Sequence, residues 1–226
     1  MKNLENIQIY LADQRGCSQT DVFRSFHTFN FGNYYNESRK PFGDLEVFND
    51  NVLKPQYSQK VQLSKNTEVV IIPIIGGLEY HSTIENGFLG TGNVFFLSGT
   101  ERDSYTIINP YETDYINFIQ IHFTNNDENS NPILQEFGFG FNPKNTLKPV
   151  FLVNDKEGFI GKYEGRKKGE FTIKNPKNGV FIFVIEGVFE VQDRLLHARD
   201  GLAISGVEMI DFEALSNEAV ILLLSL

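Results

Sequence analysis

The feature that most limits what this chain can become is a pattern written twice. The stretches "IIPIIGGLEY" (residues 71–80) and "FIFVIEGVFEV" (residues 181–191) each read as an apolar strand, a glycine-marked turn and an alternating second strand. Superposing them sets Ile75 on Ile185 and Gly77 on Gly187. "TGNVFFLSG" (91–99) then falls on "DGLAISG" (200–206), with Gly92 on Gly201 after one residue of slippage. An offset of 110 residues between Ile75 and Ile185 is too long for a solenoid and points to a duplicated domain.

Within each half, short apolar runs are broken by "NDNVLKPQYSQ", "IENGFLGTGN", "INPYETD" and "IKNPKNG", the punctuation of a sandwich or small barrel. Phenylalanine is abundant (21 of 226 residues) and tryptophan absent, which suits a pleated interior of aromatic and β-branched side chains. The expectation is an all-β chain of two antiparallel, jelly-roll-like barrels, residues 1–135 and 136–226, with little helix. One short helix is expected in "SNPILQEFGFG" (130–140), capped by Asn131 with Pro132 at its first position.

Composition excludes several classes of function. The net charge of −9 is spread without a basic stripe, and the one dense basic patch, "GRKKGE" (165–170), reads as a solvated hairpin tip, so nucleic-acid binding is not expected. A single cysteine, Cys17, rules out an internal disulfide framework and a cysteine-rich zinc site, and it reads as an inert thiol. No segment approaches the roughly 18 apolar residues of a spanning helix and no secretory leader is evident, so a cytoplasmic protein without a membrane partner is expected. Nucleophile-elbow, phosphate-loop, dinucleotide and His-Glu-x-x-His signatures are absent.

The block "VFRSFHTFNFGNYYNESRKPFGDLEVFNDN" resembles the opening of the pirin family. "EVVIIPIIGGLEYHS" and "FFLSGTERDSYTIINP" resemble later parts of that family's first barrel, and "VFIFVIEGVFEVQDRLLHARDGLAIS" resembles the second barrel of its quercetinase-like bacterial branch. The resemblance implies a bicupin. It also implies, in the first barrel, a divalent metal held by a His-x-His pair and a downstream His-x-Glu, and a quercetin 2,3-dioxygenase type of activity.

Aligned on Glu68, however, the chain has Gln62 and Ser64 at the first pair and Ser104 and Thr106 at the second, and such neutral oxygens are poor donors for a tightly held transition metal. These four residues are therefore expected to line a small pocket without metal or other cofactor, with Glu68, Phe118, Gln120 and His122 as its wall. The four histidines, His27, His81, His122 and His197, lie too far apart in sequence to supply a substitute ligand set. His27 reads as hydrogen-bonded within its strand, His81 and His197 as edge or turn residues, and His122 as a satisfied wall residue. Glu101 and Asp103 form a carboxylate pair at strand spacing that faces the cavity only if the register is off by one. The sequence thus favours a metal-free, non-catalytic bicupin that binds a small organic ligand or a protein partner. The alternatives are a dioxygenase-like enzyme with a replaced metal site and an interaction scaffold.

Overall fold

The computed structural model describes residues 6–64, 66–125, 132–174 and 179–226. Strand β1 (Asn6–Tyr10) comes first. It is followed by β2 (Gly16–Gln19), β3 (Phe23–His27), β4 (Leu45–Leu53), β5 (Ser58–Gln62), β6 (Thr67–Ile75), β7 (Leu78–Ser82), β8 (Asn86–Leu89), β9 (Asn93–Gly99), β10 (Ser104–Ile108), β11 (Ile116–Thr124) and β12 (Ile133–Gly138). The second half holds β13 (Lys148–Val153), β14 (Lys156–Tyr163), β15 (Lys168–Thr172), β16 (Gly179–Glu186), β17 (Val188–Val191), β18 (Arg194–His197), β19 (Gly201–Ser205), β20 (Met209–Ala214) and β21 (Ala219–Ser225). The helix among the described residues is a single 3-10 turn, Ala12–Gln14.

Two units result, each a larger sheet packed on a smaller one. The first, residues 16–138, has the strand orders β12-β9-β6-β11-β4-β3-β2 and β5-β10-β7-β8. The second has β1-β19-β16-β21-β14-β13 and β15-β20-β17-β18. The smaller sheets are equivalent strand for strand, as are β9-β6-β11-β4 and β19-β16-β21-β14, so the duplication read from the sequence is a duplication of topology.

Its register differs by one residue from the sequence superposition. In β6, Pro73 lies opposite Phe118 and Ile75 opposite Asn117, leaving Ile74 as the extra residue of a bulge. In β16, Val184 lies opposite Ile221 and Glu186 opposite Val220, leaving Ile185 as the extra residue. Ile74 and Ile185 are therefore the equivalent pair, and the turn glycine matching Gly187 (φ 79°) is Gly76 (φ 72°). The bulge also explains how Pro73, which lacks an N–H, sits in a central strand.

Three further expectations are corrected. The segment expected to be helical is strand β12, antiparallel to β9 from Ile133↔Ser98 to Gly138↔Asn93; Asn131 lies outside the described residues. β9 would otherwise end the sheet with unpaired backbone groups, and that long-range demand overrides the local Asn-Pro signal. The "GRKKGE" stretch is not a hairpin tip, because β14 and β15 belong to different sheets; it is solvated, with Arg166 and Lys168 paired to Glu213 at 3.6 and 3.7 Å. Finally, β1 pairs with β19 in the second unit, so the N-terminal segment carrying it leaves the domain expected at 1–135, and the division falls after Gly138.

Candidate functional site

The two barrels differ inside. The second is filled by an apolar cluster that includes Phe171, Ile182, Phe189, Ile204, Phe212 and Leu223. Among the described residues, every buried polar side chain except Lys156, Asp200 and Ser225 lies in the first unit. Burying polar groups costs free energy that an apolar filling avoids, so the interior of the first barrel is where a site is to be sought.

Strand alternation decides what faces that interior. On β10, Tyr105 and Ile107 are buried in the core cluster, together with Leu53, Val69, Ile71, Tyr80, Phe95 and Phe118. Ser104 and Thr106 lie on the opposite, partly exposed face. In the β5–β10 ladder Tyr105 is opposite Val61 and Ser104 opposite Gln62, so Gln62 faces outward too. Gln62 Nε2 donates to the carbonyls of Glu101 (2.8 Å) and Asp103 (2.7 Å), and Ser64 is exposed. The expected pocket of Gln62, Ser64, Ser104 and Thr106 is therefore not formed; the positions that face inward are Val61, Leu63, Tyr105 and Ile107. A slip of one residue inverts every side chain of a strand, and that is what separates the alignment from the structure.

Of the expected wall, Phe118, Gln120 and His122 do share the inward face of β11. Glu68 does not: Val69 and Ile71 take the inward positions of β6, and Glu68 alternates away from them. The carboxylate pair also separates. Glu101 is exposed, while Asp103 accepts hydrogen bonds from the Thr100 amide (2.9 Å), the Thr100 hydroxyl (3.0 Å) and the Thr83 hydroxyl (2.9 Å). Burial pushes the Asp103 carboxyl up, and these donors more than offset it, so the group is held below the usual carboxylate range.

The inward polar residues form two hydrogen-bonded groups, one around Tyr105 and one around His27, which meet where Asn49 lies opposite Gln120 in the ladder. Gln120 Nε2 donates to Tyr105 Oη at 2.7 Å, and His122 Nε2 lies 3.1 Å from that hydroxyl and 3.0 Å from Gln120 Nε2. Asn51 Nδ2 donates to Gln120 Oε1 at 3.0 Å. The registers place His27 opposite Asn49 and Asn49 opposite Gln120, and His27 Nδ1 is 2.9 Å from Asn49 Oδ1. His27 Nε2 reaches Ser18 Oγ at 2.8 Å, so the hydrogen bonding expected of His27 within its strand segment extends to both neighbouring strands. His81 is exposed on β7, and His197 ends β18, also exposed.

Burial sets the charge of this cluster. It lowers His122 from 6.5 to about 4, and it pushes the Tyr105 hydroxyl up, partly offset by the Gln120 donor. Both are neutral at neutral pH. One assignment satisfies all the contacts: the His122 proton sits on Nδ1, and Nε2 accepts from the Tyr105 hydroxyl and one Gln120 N–H. The other Gln120 N–H goes to the Tyr105 oxygen.

The cluster offers neutral donors and acceptors, and its residues do not fit the divalent metal that the fold family implies. Val61, Leu63 and Ile107 carry no donor atom, and the Nε2 of His122 is already engaged. Among the described residues no group of three His, Cys, Asp or Glu side chains converges as a ligand set would. Sequence reasoning missed Tyr105, Asn49 and Asn51 as members of this interior. The available signal was "FNDNV", with two amides at the period of a strand between apolar neighbours.

Two barrels of this topology, one solidly apolar and one with a polar inner face, define a bicupin. Residues 143–226 match the family described as quercetinase C-terminal cupin domain, and over its length the chain has the fold of a bicupin. A quercetin 2,3-dioxygenase of Escherichia coli (strain K12) is 23% identical over 226 residues, covering 95% of this chain and 97% of that protein. The bacterial pirin YhhW from Escherichia coli, solved in complex with nickel(II), superposes with a TM-score of 0.87 at 21% identity, covering 98% of this chain and 99% of that one. GK1651 from Geobacillus kaustophilus superposes with a TM-score of 0.73 at 13% identity, covering 100% and 97%. No helix among the described residues is long and apolar enough to cross a membrane.

Proposed function

We propose that this protein is a non-catalytic binding or regulatory bicupin, cytoplasmic, whose first barrel has exchanged the metal chemistry of its relatives for a neutral hydrogen-bonding interior. The observation that carries this reading is the identity of the inward side chains on and beside β5 and β10: Val61, Leu63, Tyr105 and Ile107. A ligand set for a transition metal needs imidazole or carboxylate at such positions. The partner is a small organic molecule or a protein; nucleic acid and membrane are not partners.

The test is metal analysis of untagged protein purified without added metal, followed by titration with nickel(II), iron(II) and zinc(II) under thermal unfolding. The expected result is less than one tenth of an equivalent bound and no shift of the melting temperature. Uptake near one equivalent with a raised melting temperature overturns the proposal, because any ligand that binds only the folded state must stabilise it. That outcome would favour the second reading, a dioxygenase-like enzyme with a replaced site, which draws its support from the activity named for the Escherichia coli relative.

A further inference from the structure

Asn49 and Asn51 are buried to 1% and 0% exposure, yet each leaves one side-chain atom without a hydrogen-bond partner among the described residues: the donor Asn49 Nδ2 and the acceptor Asn51 Oδ1. A buried amide atom without a partner forfeits the hydrogen bond that water gave it in the unfolded chain. The two atoms belong to residues two apart on β4, hence on one face, and that face carries Gln120 and Phe118 opposite. Asp50 between them points to the other face, where its Oδ1 accepts from Asn117 Nδ2 at 2.7 Å. The remaining atoms of both asparagines are already committed, to His27 and to Gln120. The open donor and the open acceptor thus lie on one face of β4, two residues apart in the ladder.

We infer that the first barrel recognises an uncharged molecule with an amide-like edge, a carbonyl oxygen beside an N–H, as in a carboxamide, lactam or cyclic imide. The carbonyl accepts from Asn49 Nδ2 and the N–H donates to Asn51 Oδ1. An anion or cation is disfavoured because Asn49, Asn51, Gln120 and Tyr105 carry no charge to compensate it in a buried setting. Phe118, Phe95 and Tyr105 supply the apolar and aromatic walls that a ring bearing such an edge requires. Because the groups are closed off from solvent, association requires the barrel to open, and binding is slow compared with an exposed cleft.

This inference rests on the binding role proposed above, and its test separates the two. The probes are benzamide, N,N-dimethylbenzamide, which lacks the N–H, and benzoate, which is charged. Binding is followed by thermal unfolding and by the side-chain NH₂ signals of Asn49 and Asn51 in ¹⁵N spectra. Benzamide is expected to shift both signals saturably and to raise the melting temperature, with the other two at least roughly tenfold weaker, the loss expected for one or two hydrogen bonds. Asn51→Leu combined with Gln120→Leu removes the amide pair as a unit; it is expected to weaken benzamide by roughly tenfold or more. Should that variant fold poorly, the asparagine signals of the unaltered protein still distinguish the outcomes. Equal binding of N,N-dimethylbenzamide or benzoate, or saturable benzamide binding that leaves the Asn49 and Asn51 signals unmoved, overturns the ligand class while leaving a binding protein. Absence of binding by all three probes overturns the inference, and only metal uptake overturns the function on which it rests.

Discussion

Protonation of His122 should destabilise the first barrel from within. Burial holds this ring at about 4 against 6.5 when exposed, so in mildly acidic solution the unfolded chain binds a proton that the folded chain refuses. The contribution to stability is fully present above pH 6.5 and is lost as the pH falls toward 4. The difference corresponds to about 3 kcal/mol in full, of which about 2 kcal/mol is lost between pH 7.5 and pH 5.0. The structural cost is local: a proton on Nε2 would face the Gln120 NH₂ group at 3.0 Å and the Tyr105 hydroxyl at 3.1 Å, and both now donate to that nitrogen. Urea unfolding of the wild type and of His122→Gln across this range isolates the effect, because every other titrating group is common to both proteins. The wild type should lose about 2 kcal/mol more than the variant on going to pH 5.0. Long-range ¹⁵N–¹H spectra should show His122 as the Nδ1–H tautomer, unchanged from pH 7.5 to 5.0. Parallel pH profiles for the two proteins, or a His122 ring that titrates near 6.5, would refute both the burial argument and the assigned tautomer.

Three further outcomes are expected. Gly187→Ala should destabilise the second unit by about 1–3 kcal/mol in chemical unfolding, because its φ of 79° disfavours a side chain and a Cβ would lie 2.4 Å from Ser216 Oγ and 2.7 Å from Ala219 Cβ. Deleting residues 1–15 should lower the melting temperature and promote aggregation seen by light scattering, since β1 covers the edge of β19 and Ala12 N donates to Asp200 Oδ1 at 2.7 Å. In a Cys17→Ser background, since Cys17 is itself exposed, cysteines introduced at Ser104 and Thr106 should react with a maleimide in the folded protein, and cysteines at Tyr105 and Ile107 should not; the reverse pattern would invert the register of β10.

How far the sequence reaches can be seen strand by strand. The barrels were legible because apolar runs, alternation and glycine turns are local signals that the ladder reinforces. On β11 the inward face was also legible, since Phe118, Gln120 and His122 lie on one unbroken strand. On β5 and β10 it was not. Counting back from Glu68 to Gln62 crosses a turn, and counting forward into β10 crosses another at residues 100–103, and spacing alone does not tell how many residues a turn absorbs. The same single-residue ambiguity set Ile75 rather than Ile74 on Ile185, where a bulge takes up the extra residue. β12 and β1 were misassigned for a different reason: each is placed by a sheet edge distant in sequence, a demand that no local window contains.

The second barrel serves as an internal comparison for the first. Both have the same four-stranded sheet and the same four central strands in the larger sheet, so topology does not require polar residues inside. Tyr163, Phe189 and Phe212 pack edge to face within the second barrel, and burial alone raises the Tyr163 hydroxyl to about 12. In the first barrel the corresponding space holds Tyr105, His122, Gln120 and Asn51 joined by hydrogen bonds, with Asn49 beside them bonded to His27 and one amide atom of each asparagine left open. At about 1–3 kcal/mol for each open atom, this arrangement removes a noticeable part of the 5–15 kcal/mol by which a domain is stable. An apolar filling was within reach of the same fold, as its other half demonstrates, so the stability of the fold does not require the polar interior. A site that pre-sets donors and acceptors before its ligand arrives bears this kind of cost in the empty state and recovers it on binding.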